Sequence, residues 1–267
     1  MFPIDPIRWP LEAIWQAVEP QLPGFTCEVL PVIDSTNTEL MRRFKAGQPE
    51  PTLLVAEQQS AGRGRLGRQW HSQRGGSLTF SVGLPLAPHD WSGLSLAVGV
   101  SLAESLDAAN APQHCIALKW PNDLCLVQKT KERKLAGILV ETATFEGQRY
   151  VVIGVGINVS AVEFAAKDSS AIASGCLQDL HSDADVAGTL LRVLPPLVQT
   201  VQAFEQFGFA PFQARFARRD VLAGRPLALS DGLQGQAHGV TETGALLVHT
   251  SAGMKEITSS EVSVRPC

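Results

Sequence analysis

The segment GRGRLGRQW at residues 62–70 constrains the fold of this chain more than any other. Its glycines Gly62, Gly64 and Gly67 have the spacing of a dinucleotide-binding turn, but that turn requires a helix to begin at the glycines. The residues that follow, RQWHSQRGGS, have no helical periodicity and run into further glycine. The sequence therefore argues against a Rossmann fold and favours a loop that leads from one strand to the next.

The arginines of this segment predict that it binds an anion. Arg63, Arg65 and Arg68 are interleaved with the glycines, and the segment ends at Trp70. A guanidinium donates in a planar fork that matches phosphate or carboxylate, glycine lets backbone N–H groups approach a ligand, and the indole offers a flat face for a base. We expect a loop that closes over a phosphorylated nucleotide; the alternative is a solvated basic loop.

The composition indicates a folded protein that is not a general nucleic-acid binder. The chain has 267 residues, of which 45% are hydrophobic and 18% charged, and its formal net charge is −4. Its five cysteines form no C-x-x-C pair, and its six histidines lack metal-ligand spacing, so we assign no metal site. We find no signal peptide and no apolar run of about 20 residues. We therefore expect a cytoplasmic protein without membrane association.

Hydrophobic periodicity predicts a mixture of strands and helices. The predicted strands cover residues 27–34, 52–59, 77–84, 116–127, 134–143 and 150–159, and the predicted helices cover residues 11–18, 36–46, 94–109, 185–207 and 210–220. Thr36 and Glu39 have capping-box spacing at the start of the second helix, and Pro195 and Pro196 should kink or divide the fourth. From about Val221 short alternating segments predict a small antiparallel barrel or sandwich, with a domain boundary near Asp220.

Three further motifs are candidates for binding, although each has a structural explanation of its own. KWPNDL at residues 119–124 gathers polar residues at a turn, and a plain turn explains it equally well. Lys134 begins RKLAGILVE and could reach an anion, or could protect a strand edge. GVGIN at residues 154–158 indicates close backbone approach or a β-bulge.

Taken together and in this order, these segments resemble the biotin protein ligases, also called biotin–[acetyl-CoA-carboxylase] ligases. The matching stretches are DSTN at residue 34, EQQSAGRGRLGRQW at 57, KWPND at 119, RKLAGILVE at 133 and GVGIN at 154; EVSVR at 261 resembles the end of that family's small domain. The resemblance implies an α+β fold. A mixed sheet with helices on one side, in a class II synthetase-like catalytic domain at residues 1–219, would precede a small SH3-like β-barrel at residues 220–267.

The resemblance implies an ATP-dependent, AMP-forming ligase. The carboxylate of biotin attacks the α-phosphate of ATP with the assistance of Mg²⁺, pyrophosphate leaves, and biotinyl-5′-AMP forms. A lysine of a biotin carboxyl carrier domain, in acetyl-CoA carboxylase or a similar carboxylase, then attacks the acyl carbon and releases AMP. No side-chain nucleophile is needed, which agrees with a sequence that has no G-x-S-x-G elbow.

The resemblance also assigns roles to residues at the matching positions. Arg63, Arg65 and Lys134 are the expected catalytic residues. Biotin is expected to be held by Ser35, Thr36, Asn37, Gln59, Arg63, Gly64, Arg65 and Lys134. The nucleotide is expected to be held by Arg65, Arg68, Trp70, Lys119, Asn122, Asp123 and Asn158. Asp123 is also a weaker candidate for a position near Mg²⁺.

Some members of that family carry an N-terminal winged-helix domain that binds DNA. Fewer than 40 residues precede DSTN here, so we expect a ligase without DNA binding or repressor function; a homodimer is left open. The nearest alternative is a lipoate–protein ligase of the related fold, against which the arginine segment and KWPND favour biotin. A non-catalytic nucleic-acid binder and an inactive biotin-binding module are further alternatives.

Overall fold

The computed structural model describes residues 6–107, 115–128, 131–161 and 173–258, together with the backbone of residues 264–266. Residues 108 and 109 of the third predicted helix and the side chains of EVSVR lie outside the described residues. None of the helices within these ranges is long and apolar enough to span a membrane.

The larger part of the described chain forms a mixed sheet, as predicted, but with seven strands instead of six. The strand predicted at residues 116–127 is two antiparallel strands joined by a turn at residues 120–122. Its strands are β1 (Thr26–Ile33), β2 (Thr52–Gln59), β3 (Ser77–Pro85), β4 (Ile116–Lys119), β5 (Asp123–Gln128), β6 (Lys131–Phe145) and β7 (Gln148–Asn158). Their order in the sheet is β1-β2-β3-β7-β6-β5-β4. The β1–β2 pair is parallel, and every other pair is antiparallel. The sheet therefore has β7 at its centre, between β3 and β6.

Five α-helices within the described ranges pack against the sheet, four on one face and one on the other. They are α1 (Leu11–Val18), α2 (Thr36–Lys45), α3 (Leu94–Leu106), α4 (Val186–Phe207) and α5 (Ala210–Ala217). Residues of α1, α3, α4 and α5 share one buried cluster with Leu53 and Val55 of β2. Leu54, which lies between them, faces the other way, because successive side chains of a strand point to opposite faces. Leu54 packs against α2 on that other face. The expectation that all helices lie on one side of the sheet was therefore wrong for α2.

The packing of α2 leaves part of its sheet face uncovered. Leu40 and Phe44 of α2 are buried against Leu54, Tyr150 and Val152, and the rings of Phe44 and Tyr150 stack with centroids 4.3 Å apart. The helix is only 10 residues long. Its N-terminus consequently ends over the centre of the sheet, where β6 and β7 pair, and this end of the helix borders the cleft described below.

The helix predictions required four corrections. Ser35, and not Thr36, is the N-cap of α2, because its Oγ accepts the backbone N–H of Thr38 at 3.4 Å. α3 ends at Leu106 rather than at residue 109, and α5 ends at Ala217 rather than at residue 220. α4 is one continuous helix that contains Pro195 and Pro196, so the prolines do not divide it. Fully buried leucines on both sides of the prolines hold α4 to the core.

The C-terminal part, where a small antiparallel barrel or sandwich was predicted, forms a small antiparallel sheet. Its strands are β8 (Pro226–Leu229), β9 (Gln234–Val240), β10 (Leu246–Thr250), β11 (Gly253–Ile257) and β12 (Val264–Pro266), in the order β11-β10-β9-β8-β12. At the predicted boundary, the chain runs beside β4: Leu118 donates to Arg219 at 2.7 Å and accepts from Val221 at 3.0 Å. The boundary itself stays a prediction.

A buried tryptophan connects the two sheets. Trp120 follows β4, is 2% exposed, and donates its indole N–H to the carbonyl of Gly244 at 3.1 Å. Gly244 lies in the turn between β9 and β10, and a Cβ there would come within 2.7 Å of the Gly93 Cα atom. This turn of the small sheet is therefore fitted directly against the turn that carries KWPND.

We expect Trp120→Phe to lower the free energy of unfolding by about 1–3 kcal/mol, because it leaves a buried carbonyl without its donor. Trp15→Phe is the matched control: its indole N–H also donates to a carbonyl at 3.1 Å, but the residue is 42% exposed, so water can replace the bond. Urea denaturation measures both variants. Equal losses would show that the link between the sheets contributes nothing beyond an exposed hydrogen bond.

Candidate active site

An open cleft lies on the sheet face that α2 partly covers; it measures about 720 Å³ when the solvent-filled space at its mouth is included. The cleft brings together all but two of the residues predicted from the sequence: Ser35, Thr36, Asn37, Gln59, Arg63, Gly64, Arg65, Arg68, Trp70, Asn122, Asp123 and Lys134. These residues come from separate strands and turns, and the fold places them around a single opening.

Glycines form the floor of the cleft. Gly154 and Gly156 lie in β7 and Gly137 lies in β6, all in regular register with their neighbours, so the β-bulge interpretation of GVGIN was wrong. A Cβ at Gly154 would lie 2.1 Å from Asn37 Oδ1, and one at Gly156 would lie 2.3 Å from the Trp70 ring. The glycines therefore permit the close approach that was the other interpretation.

The N-terminus of α2 forms a polar wall. The carboxamide oxygen of Gln59 accepts the backbone N–H of Thr36 at 2.8 Å and lies 3.2 Å from its hydroxyl. Ser81 Oγ, on β3, lies 2.6 Å from both Thr36 Oγ1 and Asn37 Oδ1. These buried contacts fix the orientation of each side chain, so the wall presents donors and acceptors in a set pattern.

The arginine segment is a compact turn. The backbone N–H of Gly64 donates to Arg68 at 2.7 Å, and a short 3₁₀ turn covers Arg65–Gly67. Leu66 and Gly67 have φ of 54° and 70°, which lets the chain reverse tightly. The turn ends where the Trp70 N–H donates to Gly62 at 2.9 Å, and no α-helix begins at these glycines.

Arg65 is a partly desolvated cation at the cleft. Burial lowers the pKa of its guanidinium; the negative charge of Asp123 opposes that change, and the positive charge of Arg68 adds to it. A cation that has lost water is stabilised by an incoming anion more than a solvated cation is. The electrostatics of the turn therefore favour a phosphate or carboxylate at this position.

Lys134 and Trp70 meet at the other side of the opening. Lys134 Nζ lies 2.7 Å from Asp123 Oδ1 and 5.9 Å from the centroid of the Trp70 ring. The indole N–H of Trp70 is buried, and within the described part of the chain it has no hydrogen-bond partner. Asn122 is held by two hydrogen bonds with Ile138, at 2.9 and 3.0 Å.

Two predicted residues do not line the cleft. Lys119 is buried and lines a small neighbouring pocket together with Asn122 and Asp123. Asn158 is buried and donates its side-chain amide to the carbonyls of Lys134 at 3.3 Å and Gly175 at 3.1 Å. Asn158 thus supports the backbone that carries Lys134.

Sequence reasoning did not single out several of the cleft residues: Gln69, Phe80, Gly137, Ile138, Leu139 and Val155. Their signal is weak, because apolar residues in a strand are expected in any sheet. Glu141 was also missed as a functional residue, although it ends the RKLAGILVE motif. Its carboxylate contacts both Arg63 and Asn37.

Comparison with known proteins agrees with this geometry. Residues 29–158 match the Biotin/lipoate A/B protein ligase family, and residues 228–265 match the biotin protein ligase C terminal domain. The chain is 36% identical over 256 residues to the bifunctional ligase/repressor BirA of Escherichia coli, and the match covers 92% of this chain and 76% of that protein. It is 30% identical over 243 residues to the biotin–[acetyl-CoA-carboxylase] ligase of Paracoccus denitrificans, with coverage of 86% and 96%.

A solved structure shows the same fold. The biotin protein ligase of Aquifex aeolicus, in complex with biotin and ATP, superimposes with a TM-score of 0.74 at 30% identity, and the match covers 91% of this chain and 99% of that one. With the family matches above, this similarity extends over both sheets. The chain belongs to the biotin/lipoate A/B protein ligase family and, within it, to the biotin protein ligases.

Proposed function

We propose that the protein activates biotin with ATP and transfers it to a lysine of a biotin carboxyl carrier domain. In the first step a carboxylate oxygen of biotin bonds to the α-phosphorus of ATP, and the bond to pyrophosphate breaks. In the second step the lysine amine bonds to the acyl carbon of biotinyl-5′-AMP, loses a proton, and displaces AMP. The observation that carries the proposal is the convergence of Arg63, Arg65 and Lys134 on one cleft.

Biotin is assigned to the part of the cleft beside α2. Ser35, Thr36, Asn37 and Gln59 supply hydrogen-bonding groups there, and Gly154 leaves a flat floor beneath them. Polar groups that are already fixed by their neighbours lose little conformational entropy when a ligand binds. This arrangement supports recognition of a small, flat, polar ring system.

The reacting anions are assigned to the cationic part of the cleft. A carboxylate and a phosphate repel each other, so the site must neutralise both before they react. Lys134 has three donors, of which one suffices for Asp123, so the others are able to reach anionic oxygens. Arg63, Arg65 and the backbone of Gly64 complete the set at the position where charge develops.

The nucleotide is assigned to the side formed by Arg68, Trp70, Asn122 and Asp123. The described residues hold no group of three or more His, Cys, Asp or Glu that could bind a metal. Mg²⁺ takes most of its ligands from phosphate and water, however, so Asp123 alone fits a position beside the ion that accompanies ATP. In this proposal Asn158 supports the backbone that carries Lys134, and Lys119 supports the strand end that carries Asp123, with which it pairs.

The proposed partner is a carrier protein and not DNA. The net charge is −4, and three arginines of the glycine-rich segment line the cleft, which supports a small anionic ligand rather than a duplex. No disulfide joins the described cysteines, which supports our assignment to the cytoplasm. A repressor role is therefore not part of the proposal, and a homodimer is compatible with it.

Biotin-dependent exchange of labelled pyrophosphate into ATP tests the proposed activation step. We expect exchange with biotin and Mg²⁺ and no exchange with lipoate, since the chain also matches the C-terminal domain of biotin protein ligases. Removal of Mg²⁺ with a chelator should stop the reaction. Exchange with lipoate alone would assign the protein to the lipoate ligases, and no exchange with either acid in a folded sample would refute the proposal.

A further inference from the structure

Glu141 joins two parts of the cleft that are far apart in the sequence. It lies on β6 with its side chain 25% exposed, and Arg63 contacts both of its carboxylate oxygens, Nη2 with Oε1 at 3.0 Å and Nη1 with Oε2 at 3.3 Å. A two-point contact of this kind restricts a guanidinium more than a single contact does. Glu141 thus attaches the arginine segment of residues 62–70 to β6, next to the central strand β7.

The same carboxylate orients Asn37. The Asn37 amide donates from Nδ2 to Glu141 Oε2 at 2.9 Å and to the Leu139 carbonyl at 3.2 Å, while its Oδ1 lies 2.6 Å from Ser81 Oγ. A Cβ at Gly154 would occupy the space that this amide takes. Glu141 therefore decides which end of the Asn37 amide faces the sheet and which end faces Ser81.

We propose that Glu141 is a positioning residue, which holds the arginine segment against β6 and fixes the Asn37 amide so that both are ready for biotin. The proposal rests on the proposed function, because Arg63 and Asn37 are among the residues assigned to biotin. An ion pair with a half-exposed arginine adds little to global stability. The main effect of Glu141 is therefore expected in the geometry of the cleft.

Limited proteolysis tests the attachment without any assay of activity. Trypsin cleaves after arginine, so cuts after residues 63, 65 and 68, identified by mass spectrometry, report opening of the segment. In the ligand-free protein we expect Glu141→Gln to accelerate these cuts by about fivefold, because the neutral side chain loses the charge-assisted contact. Cleavage at the wild-type rate would overturn the proposal.

Glu104→Gln is the matched control for this measurement. Glu104 pairs with Arg215 through two hydrogen bonds, and its side chain is 33% exposed, close to the value for Glu141. That pair joins α3 to α5, away from the cleft. Glu104→Gln should leave the rate of cleavage within the arginine segment unchanged. An equal acceleration in both variants would show a general loosening and would also overturn the proposal.

Kinetics of the exchange reaction test the second half of the proposal. We expect Glu141→Gln to raise the KM for biotin about tenfold and to leave the KM for ATP within about twofold, since the loss of one charge-assisted hydrogen bond weakens binding by that order. Glu141→Asp, which keeps the charge, should restore most of the protection from trypsin and part of the affinity. An unchanged KM for biotin would overturn the proposal.

The two measurements separate this proposal from the proposed function. If the wild-type protein shows no biotin-dependent exchange, the function is refuted, and the trypsin experiment still decides whether Glu141 holds the arginine segment. If exchange occurs and both Glu141→Gln readouts equal those of the wild type, the function stands and the positioning role fails.

Discussion

Lys134→Ala is expected to slow biotin-dependent pyrophosphate exchange by about 10²–10³-fold, as removal of one group that stabilises developing charge does in other enzymes. Lys134 is one of the cations that line the cleft, and its Nζ lies 2.7 Å from Asp123. Without it, Asp123 would add an unbalanced negative charge at the place where two anions must meet. The site would then attract the two anions less strongly and would no longer reduce the repulsion between them.

The fold should tolerate this change. The Lys134 side chain is one-third exposed, and substitutions at such positions alter the free energy of unfolding by about 1 kcal/mol or less. Lys131→Ala is the matched control, because Lys131 begins the same strand and is exposed away from the cleft. It should exchange pyrophosphate at the wild-type rate. An undiminished rate in Lys134→Ala would remove this lysine from the mechanism.

Gly156→Ala is expected to reduce exchange about 5- to 150-fold, because overpacking of a close contact costs about 1–3 kcal/mol. The added Cβ would lie 2.3 Å from Cε2 and 2.7 Å from Nε1 of Trp70. The indole would have to leave the glycine floor and move into the cleft. Isothermal titration calorimetry of the ligand-free protein with biotin should show a matching loss of affinity for biotin.

Gly188→Ala is the control for the effect of an added methyl group. Gly188 lies in the first turn of α4, where a Cβ would meet nothing nearer than Asp185 at 3.4 Å, and its backbone N–H keeps the N-cap hydrogen bond. Alanine also favours a helix. Gly188→Ala should therefore bind biotin as the wild type does. Wild-type affinity in Gly156→Ala would show that Trp70 moves away freely on binding.

The sequence predicted the elements of the fold well because their signals are local. β2 has the predicted limits, and β3 begins at the predicted residue. The N-cap of α2 was placed one residue late, since Ser35 and Thr36 both have suitable hydroxyls and only the backbone geometry distinguishes them. The face on which α2 packs depends on tertiary contacts, which periodicity does not encode.

The residues that line the cleft could be predicted from the sequence where they belong to a recognisable motif. Arg63 and Lys134 were found in this way, whereas Glu141 was not, because its partners Arg63 and Asn37 are 78 and 104 residues away. Contacts between residues so far apart depend on the order of the strands in the folded sheet, which local sequence patterns do not show. Lys119 was expected at the cleft but does not line it, because the path of residues 120–122, which spacing does not define, determines which side chains reach the opening.

The wide sequence separation of the cleft residues has a kinetic consequence for the folding chain. Contacts between α2, β3, β6 and the arginine segment close long loops, and such contacts form late because their entropic cost comes first. A chain in which only separate helices and strands have formed would not yet have a surface that can bind a ligand. Emergence of the cleft should therefore coincide with the final cooperative step of folding, so that a nascent or partly unfolded molecule does not sequester biotin or ATP.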